Sequence, residues 1–193
     1  MKTITLASTS KFKSEILTRV GLKHSCMASL EEENSSRKNP YDYVMDLAYN
    51  KAQSIKNKAD TNIIIGLDTI VLINDKIVEK PKSIEEARKN LVDSKNNEST
   101  VITGISIINK DTNEVQTTYQ TSKIYFKDIS EQDIDYYIEH EQDIMYASGF
   151  IIENIASNFI QRIEGSYYNI LGAPVEKIYE ILNSMNIYLK DIN

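Results

Sequence analysis

A chain of 193 residues, 41% hydrophobic and 26% charged, has the composition of a soluble globular protein long enough for a real core. Its net charge of -6 offers nucleic acid no basic surface, and no apolar segment reaches the length of a membrane span. One cysteine rules out an internal disulfide and fits a reducing cytoplasm. With only two distant histidines, any metal would be carboxylate-held, which favours magnesium or manganese over zinc.

Elements alternate between strand and helix. Lys2–Leu6 alternates as a short strand and is no signal peptide. After Ala7-Ser8-Thr9-Ser10 comes a helix with Phe12, Ile16, Leu17 and Val20 as its apolar stripe, ended by Gly21. A polar loop over Leu30–Asn39 leads to a helix opening at Pro40, a residue suited to the first turn. The run Ile63–Ile73 is aliphatic and β-branched, bounded by Asn62 and by Asn74-Asp75. It reads as a buried strand, turned by Asn74-Asp75 into a hairpin with Lys76-Ile77-Val78. Ser83-Ile84-Glu85-Glu86 has a capping-box pattern and opens a helix to about Leu91. Val101–Ile108 and Gln116–Phe126 read as two strands. Ser130 opens a helix with Ile134, Tyr137 and Ile138 inward, Ile151–Arg162 reads as sheet, and Val175–Ile187 as a terminal helix.

Asp68 lies in the middle of the most apolar run. A carboxylate there is costly to desolvate unless something pairs with it. It either handles a cation or a proton, or is a structural residue that satisfies a loop. Ser8 and Ser10 stand at a helix N-terminus beside Lys11 and Lys13, a place suited to phosphate, although Ser10 also reads as a plain N-cap. Lys51 falls on the apolar stripe of Val44, Leu47, Ala48 and Ile55, so it either snorkels or reaches an internal anion. Lys80 follows the hairpin and is a weaker candidate for the same place. The run Glu31-Glu32-Glu33 reads as a solvated loop, or one member joins Asp68 at a metal.

In this order the fragments resemble the Maf family of nucleoside triphosphate pyrophosphatases over nearly the whole length. The family's Leu-Ala-Ser-x-Ser-Pro-Arg-Arg is matched by Leu6-Ala7-Ser8-Thr9-Ser10-Lys11-Phe12-Lys13, and Leu-Ala-x-x-Lys-Ala by Leu47-Ala48-Tyr49-Asn50-Lys51-Ala52. Ile-Gly-x-Asp-Thr is matched by Ile65-Gly66-Leu67-Asp68-Thr69, and Gly-Lys-Pro by Glu79-Lys80-Pro81. Thr103-Gly104, the segment Ile163–Asn169 and Gly172-x-Pro174 match as well.

The resemblance implies one Maf-like domain over residues 1–193: a mixed α/β fold with a twisted sheet, flanking helices and two lobes around a central cleft. It implies cleavage of a nucleoside triphosphate between the α and β phosphates, to the monophosphate and pyrophosphate, with a divalent cation. Asp68 would be general base or metal holder, and an early glutamate, aligned to Glu32 or else Glu33, would join the metal. Ser8, Ser10, Lys13, Lys51 and Lys80 would bind phosphate. Thr69 matches the branch acting on dTTP and UTP. Glu153 replaces the glutamine that helps select pyrimidines and resembles the branch acting on 7-methyl-GTP. Phe12 replaces one arginine of the opening signature and Lys13 the other, and Met145-Tyr146-Ala147-Ser148 lacks a usual lysine. A nucleotide-binding regulator of cell division with weak catalysis is the alternative reading. Homodimerisation is implied by the family alone.

Overall fold

The structure is a computed structural model that describes residues 1–30, 35–145 and 148–192. Seven strands form one mixed sheet: β1 (Ile4–Leu6), β2 (Ser25–Cys26), β3 (Ile63–Ile73), β4 (Lys76–Val78), β5 (Glu98–Asn109), β6 (Glu114–Phe126) and β7 (Ile160–Gly165). Their order is β2-β1-β3-β5-β6-β7, with β4 paired to β3. The helices are α1 (Lys11–Arg19), α2 (Pro40–Ile55), α3 (Ile84–Ser94), α4 (Glu131–His140), α5 (Tyr167–Ile170) and α6 (Val175–Ser184). Two compact units are distinguished: residues 1–69, 102–121 and 166–193, and residues 70–101 and 122–165. The long strands β3, β5 and β6 contribute residues to both.

In the first unit, β1 runs parallel to both β2 and β3. The parity of β3 splits its side chains. Ile63, Ile65 and Leu67 join the larger core with Ile16 and Leu17 of α1, Ile105 and Ile107 of β5, and Ile178 and Leu182 of α6. Ile64 packs instead with Ala52, Ile55 and Ala59 at the α2 end of the opposite face. That helix lies hard against the sheet. A Cβ built on Gly66 would sit 2.1 Å from the Ala48 carbonyl oxygen, and one on Gly104 would sit 2.1 Å from that of Val44. Asn39 caps α2 through its side chain, with Pro40 at the first helical position, as that proline requires.

In the second unit, β4 closes a hairpin on β3 with Ile73 opposite Lys76. Asn74 and Asp75 both have positive φ, 50° and 59°, the signature of a type I′ turn. Ser83 caps α3, while Glu86 accepts from the Lys82 N–H at 2.6 Å, one residue earlier than a standard capping box. Helix α4 buries Ile134 and Tyr137. The Tyr137 hydroxyl accepts from the Ile151 N–H at 2.9 Å, and burial pushes the phenol far above its ordinary pKa, so it stays neutral.

Several sequence expectations are corrected. Phe12 is 41% exposed and lies off the core stripe. Ile16, Leu17 and Val20 centre that stripe about a quarter turn away, which carries Lys13 inward in its place. The stretch Ile151–Arg162 is not a strand throughout: Ile155–Phe159 is a 3-10 helix, and β7 begins at Ile160. The buried residues Ile152, Ala156 and Phe159 recur at intervals of four and three, a helical period that the abundant isoleucines obscure. Helix α3 runs on to Ser94, past Leu91. Helix α6 stops at Ser184, short of Ile187, because Asn186 turns left-handed with φ 57° and the Ile187 N–H returns to the Leu182 carbonyl at 2.9 Å. The two-residue strand β2 and the short helix α5 carry no periodicity that a sequence would show.

Two outcomes check this packing. Gly66→Ala should lose about 2–3 kcal/mol of unfolding free energy in urea, because backbone must move to admit the methyl. Tyr137→Phe should lose about 1–3 kcal/mol by leaving the part-buried Ile151 N–H without its acceptor. A midpoint within error of the parent protein would contradict either assignment.

Candidate functional site

The parallel register pairs Leu6 with Ile65, so β3 continues beyond the carboxyl end of β1 just where the chain leaves that strand through Ala7–Ser10. Open α/β sheets place ligands at such strand ends. The Ala7 N–H still bonds to the Ile65 carbonyl at 2.8 Å, which ties the loop to β3. Within it, the Ser8 hydroxyl accepts from the Ser10 N–H at 3.1 Å, and Ser10 caps α1 through the Lys13 N–H at 3.5 Å. The first turn of α1 therefore presents N–H groups and two lysine side chains near the end of β1.

Asp68 stands on the α2 face of β3, two residues after Gly66. Lys51 of α2 meets it: Nζ donates to Oδ1 at 2.6 Å, with both side chains 11% exposed. Lys51 thus reaches an internal anion; it does not snorkel. The pair depends on the close approach of α2, because a methyl at Gly66 would strike the helix backbone one turn before Lys51. A paired charge of this kind is tolerated in the interior, whereas the Asp68 carboxylate without Lys51 would be left uncompensated.

Thr69, the next residue, projects to the opposite face. Its Oγ1 lies 3.0 Å from Oγ1 of Thr103 on β5, and the Thr103 hydroxyl donates to the Asn169 carbonyl of α5 at 3.3 Å. On this same face Lys13 reaches across from α1, and its Nζ donates to the Leu67 carbonyl at 3.2 Å. Gly172, at φ 80°, closes the group: a Cβ there would lie 3.0 Å from Thr69 Oγ1 and 3.2 Å from Lys13 Cε.

The strand end is thus bracketed by an ion pair on one side and by a hydroxyl pair with a lysine on the other. The Maf-like protein family matches residues 3–185 of this sequence, through every element of that arrangement. The chain belongs to the Maf family. Among its relatives is the dTTP/UTP pyrophosphatase of Thermoanaerobacter sp. (strain X514), 36% identical over 93% of this chain and 94% of that one. The dTTP/UTP pyrophosphatase of Clostridium botulinum (strain Hall) is 33% identical over 98% of this chain and 100% of its own length. Among solved structures, the Staphylococcus aureus Ham1 protein is similar at a TM-score of 0.45 and 16% identity, over 65% of this chain and 72% of that one.

Of the residues expected at the site, Ser8, Ser10, Lys13, Lys51, Asp68 and Thr69 of this Maf chain all belong to the first unit. Asp68 and Lys51 are in direct contact, and Lys13 touches the same strand. Lys80, after β4, and Glu153, in the turn before the 3-10 helix, belong to the second unit, and both are exposed. Glu32 and Glu33 lie outside the described residues, as do Tyr146 and Ala147. Among the described residues no three His, Cys, Asp or Glu side chains converge, and no helix is long and apolar enough to cross a membrane. Thr103 and Gly172 fall in motif matches of the sequence, which say nothing of their contacts. The available signal was parity: Gly104 faces α2, so its neighbour Thr103 must face Thr69.

The ion pair makes a specific prediction. Lys51→Met should destabilise the protein by about 3–5 kcal/mol, because it strands a buried carboxylate, and Lys51→Met with Asp68→Leu should recover most of that loss. Chemical unfolding of the three proteins checks it, and equal losses in the single and double variants would show that the two charges do not compensate each other.

Proposed function

We propose that this Maf-family protein is a nucleoside triphosphate pyrophosphatase, that it hydrolyses its substrate between the α and β phosphates, and that dTTP and UTP are its preferred substrates. The observation that carries the reading is the buried Lys51–Asp68 pair at 2.6 Å beside the strand end that Lys13 also reaches. Support for the base preference comes from the names of the relatives and from Thr69, which matches the branch acting on these nucleotides.

Water attacks the α-phosphorus, pyrophosphate leaves, and the proton of the attacking water passes to Asp68. A positioned carboxylate is suited to that task, and its pairing with Lys51 fixes its place on β3. Lys13 and the N–H groups at the start of α1 offer positive potential to the phosphates. Little covalent chemistry is asked of the protein in phosphoryl transfer, so positioning and charge neutralisation do most of the work. Asp68 is also the described carboxylate that fits a magnesium or manganese ion, since magnesium takes one or two carboxylates and completes its shell with water and substrate phosphates. Such an ion would neutralise phosphate charge when bound.

The experiment is direct. With magnesium or manganese present, dTTP and UTP should yield monophosphate and pyrophosphate, and chelation should stop the release. Asp68→Asn should lower kcat on the order of 10²-fold or more while circular dichroism stays that of the parent protein. Orthophosphate as the first product, or full activity in the folded Asp68→Asn protein, would refute the scheme.

A further inference from the structure

Helix α4 ends on a buried charge that no described residue neutralises. Glu141 is its C-cap, with the backbone N–H returning to the Tyr137 carbonyl at 2.8 Å. The carbonyl end of a helix is its negative end, where a carboxylate is disfavoured and a cation is favoured. Glu141 is also 7% exposed, so little water remains to solvate it. One of its oxygens, Oε1, has two donors: the Asp143 N–H at 3.3 Å and the Asn154 side-chain amide at 3.2 Å. Among the described residues nothing donates to Oε2, and no lysine or arginine pairs with Glu141. Asp68 is buried to the same degree and has Lys51 as its partner. Glu141 has no counterpart of that kind.

The carboxylate lines a cavity of about 260 Å³, together with His140, Gln142, Asp143, Asn154 and Ile155. Hydrogen bonds fix what the walls can offer. A carboxylate oxygen only accepts, so the Asn154 amide turns its NH2 to Glu141 and keeps Oδ1 as an acceptor. The His140 ring stacks on Tyr136 with centroids 4.0 Å apart, and its Nδ1 lies 2.8 Å from the Tyr136 carbonyl. That carbonyl also only accepts, so Nδ1 holds the proton and Nε2 of the neutral ring carries a lone pair. The half-buried Asp143 forms no ion pair among the described residues. The cavity thus has two negative charges and a surplus of acceptors. Only the Gln142 amide can turn either way.

We infer that the cavity at the end of α4 is a binding site for an organic cation with a primary ammonium group, seated against Glu141. An ammonium supplies one positive charge and three donors, which are what these walls lack. Ile155 gives its alkyl stem an apolar wall. A divalent metal ion suits the cavity less well, because it would take several carboxylate or imidazole ligands at once, and among the described residues no three converge. The site lies wholly in the second unit and uses none of the residues assigned to phosphate or to metal above.

The probe is n-butylammonium chloride, titrated at constant ionic strength into the full-length protein and followed by heteronuclear NMR. The Asp143 N–H and the Asn154 side-chain amide should shift saturably, while potassium chloride, calcium chloride and 1-butanol leave them in place. Glu141→Gln preserves the shape and the bonds to Oε1 but sets an NH2 where Oε2 stood, so affinity should fall about tenfold or more. Asp143→Asn removes a more exposed charge and should weaken binding about two- to threefold. Without the amine, Glu141→Gln should melt no lower than the wild type, because it removes an uncompensated charge. A glutamate with a purely structural role would lose stability on that change. Overturning results are the absence of a saturable shift in the wild type, equal affinity in folded Glu141→Gln, or a ligand-free Glu141→Gln protein that melts several degrees lower. Saturable shifts produced as readily by potassium or calcium chloride would also overturn it. Each of these outcomes leaves the pyrophosphatase reading untouched.

Discussion

The arrangement rests on the absence of two side chains. Gly66 and Gly104 let the backbone of α2 lie in contact with β3 and β5, at a separation no other residue would permit. That closeness brings the ammonium of Lys51 within hydrogen-bond distance of Asp68, in an interior where a carboxylate could not otherwise remain. Glycine in a strand is ordinarily a weakness, for it packs nothing and is flexible when unfolded. Here the weakness is offset by the small residues Ala48 and Ala52 of the helix, which fill the contact from the other side.

A second ordering principle is the pleat of β3. Because successive side chains face opposite ways, Asp68 and Thr69 deliver different chemistry to the two faces of one strand. Charge and its compensation lie with α2. Hydroxyl groups, the lysine of α1 and the glycine after α5 lie on the other side, bordering the larger core of α1 and α6. The two faces are linked by one peptide unit, so a shift of register by a single residue would turn the carboxylate to the hydroxyl's face and the hydroxyl to the carboxylate's.

Much of this was legible in the sequence, and the reasons are physical. The β3 run is continuous, aliphatic and bounded by turn residues, so its strand character and the anomaly of Asp68 are both plain. Pro40 and Asn39 mark the start of α2 through backbone chemistry alone. Lys51 on an apolar stripe left two outcomes open, and only packing decides between them. Phe12 has the residue type of a core position but not its helical angle, and in the 3-10 segment isoleucine content masks the helical spacing. The partner of Thr103 was invisible for a different reason. An uncharged residue in the middle of a buried strand gives no sign of its partners, and its pairing to Thr69 exists only once two strands distant in the chain are laid side by side.

Gly172 limits how this protein can diverge. Its left-handed backbone and the atoms close around it make nearly every substitution there a double penalty, of strain and of collision, paid before any benefit from a new contact. Thr69 and Thr103 carry no such restriction, since each could exchange for a residue of similar volume without disturbing the chain path. Point mutation can therefore retune the polarity of this corner far more readily than its size. Change at this corner would come first through its hydroxyl groups, and a longer side chain would have to wait for an altered loop.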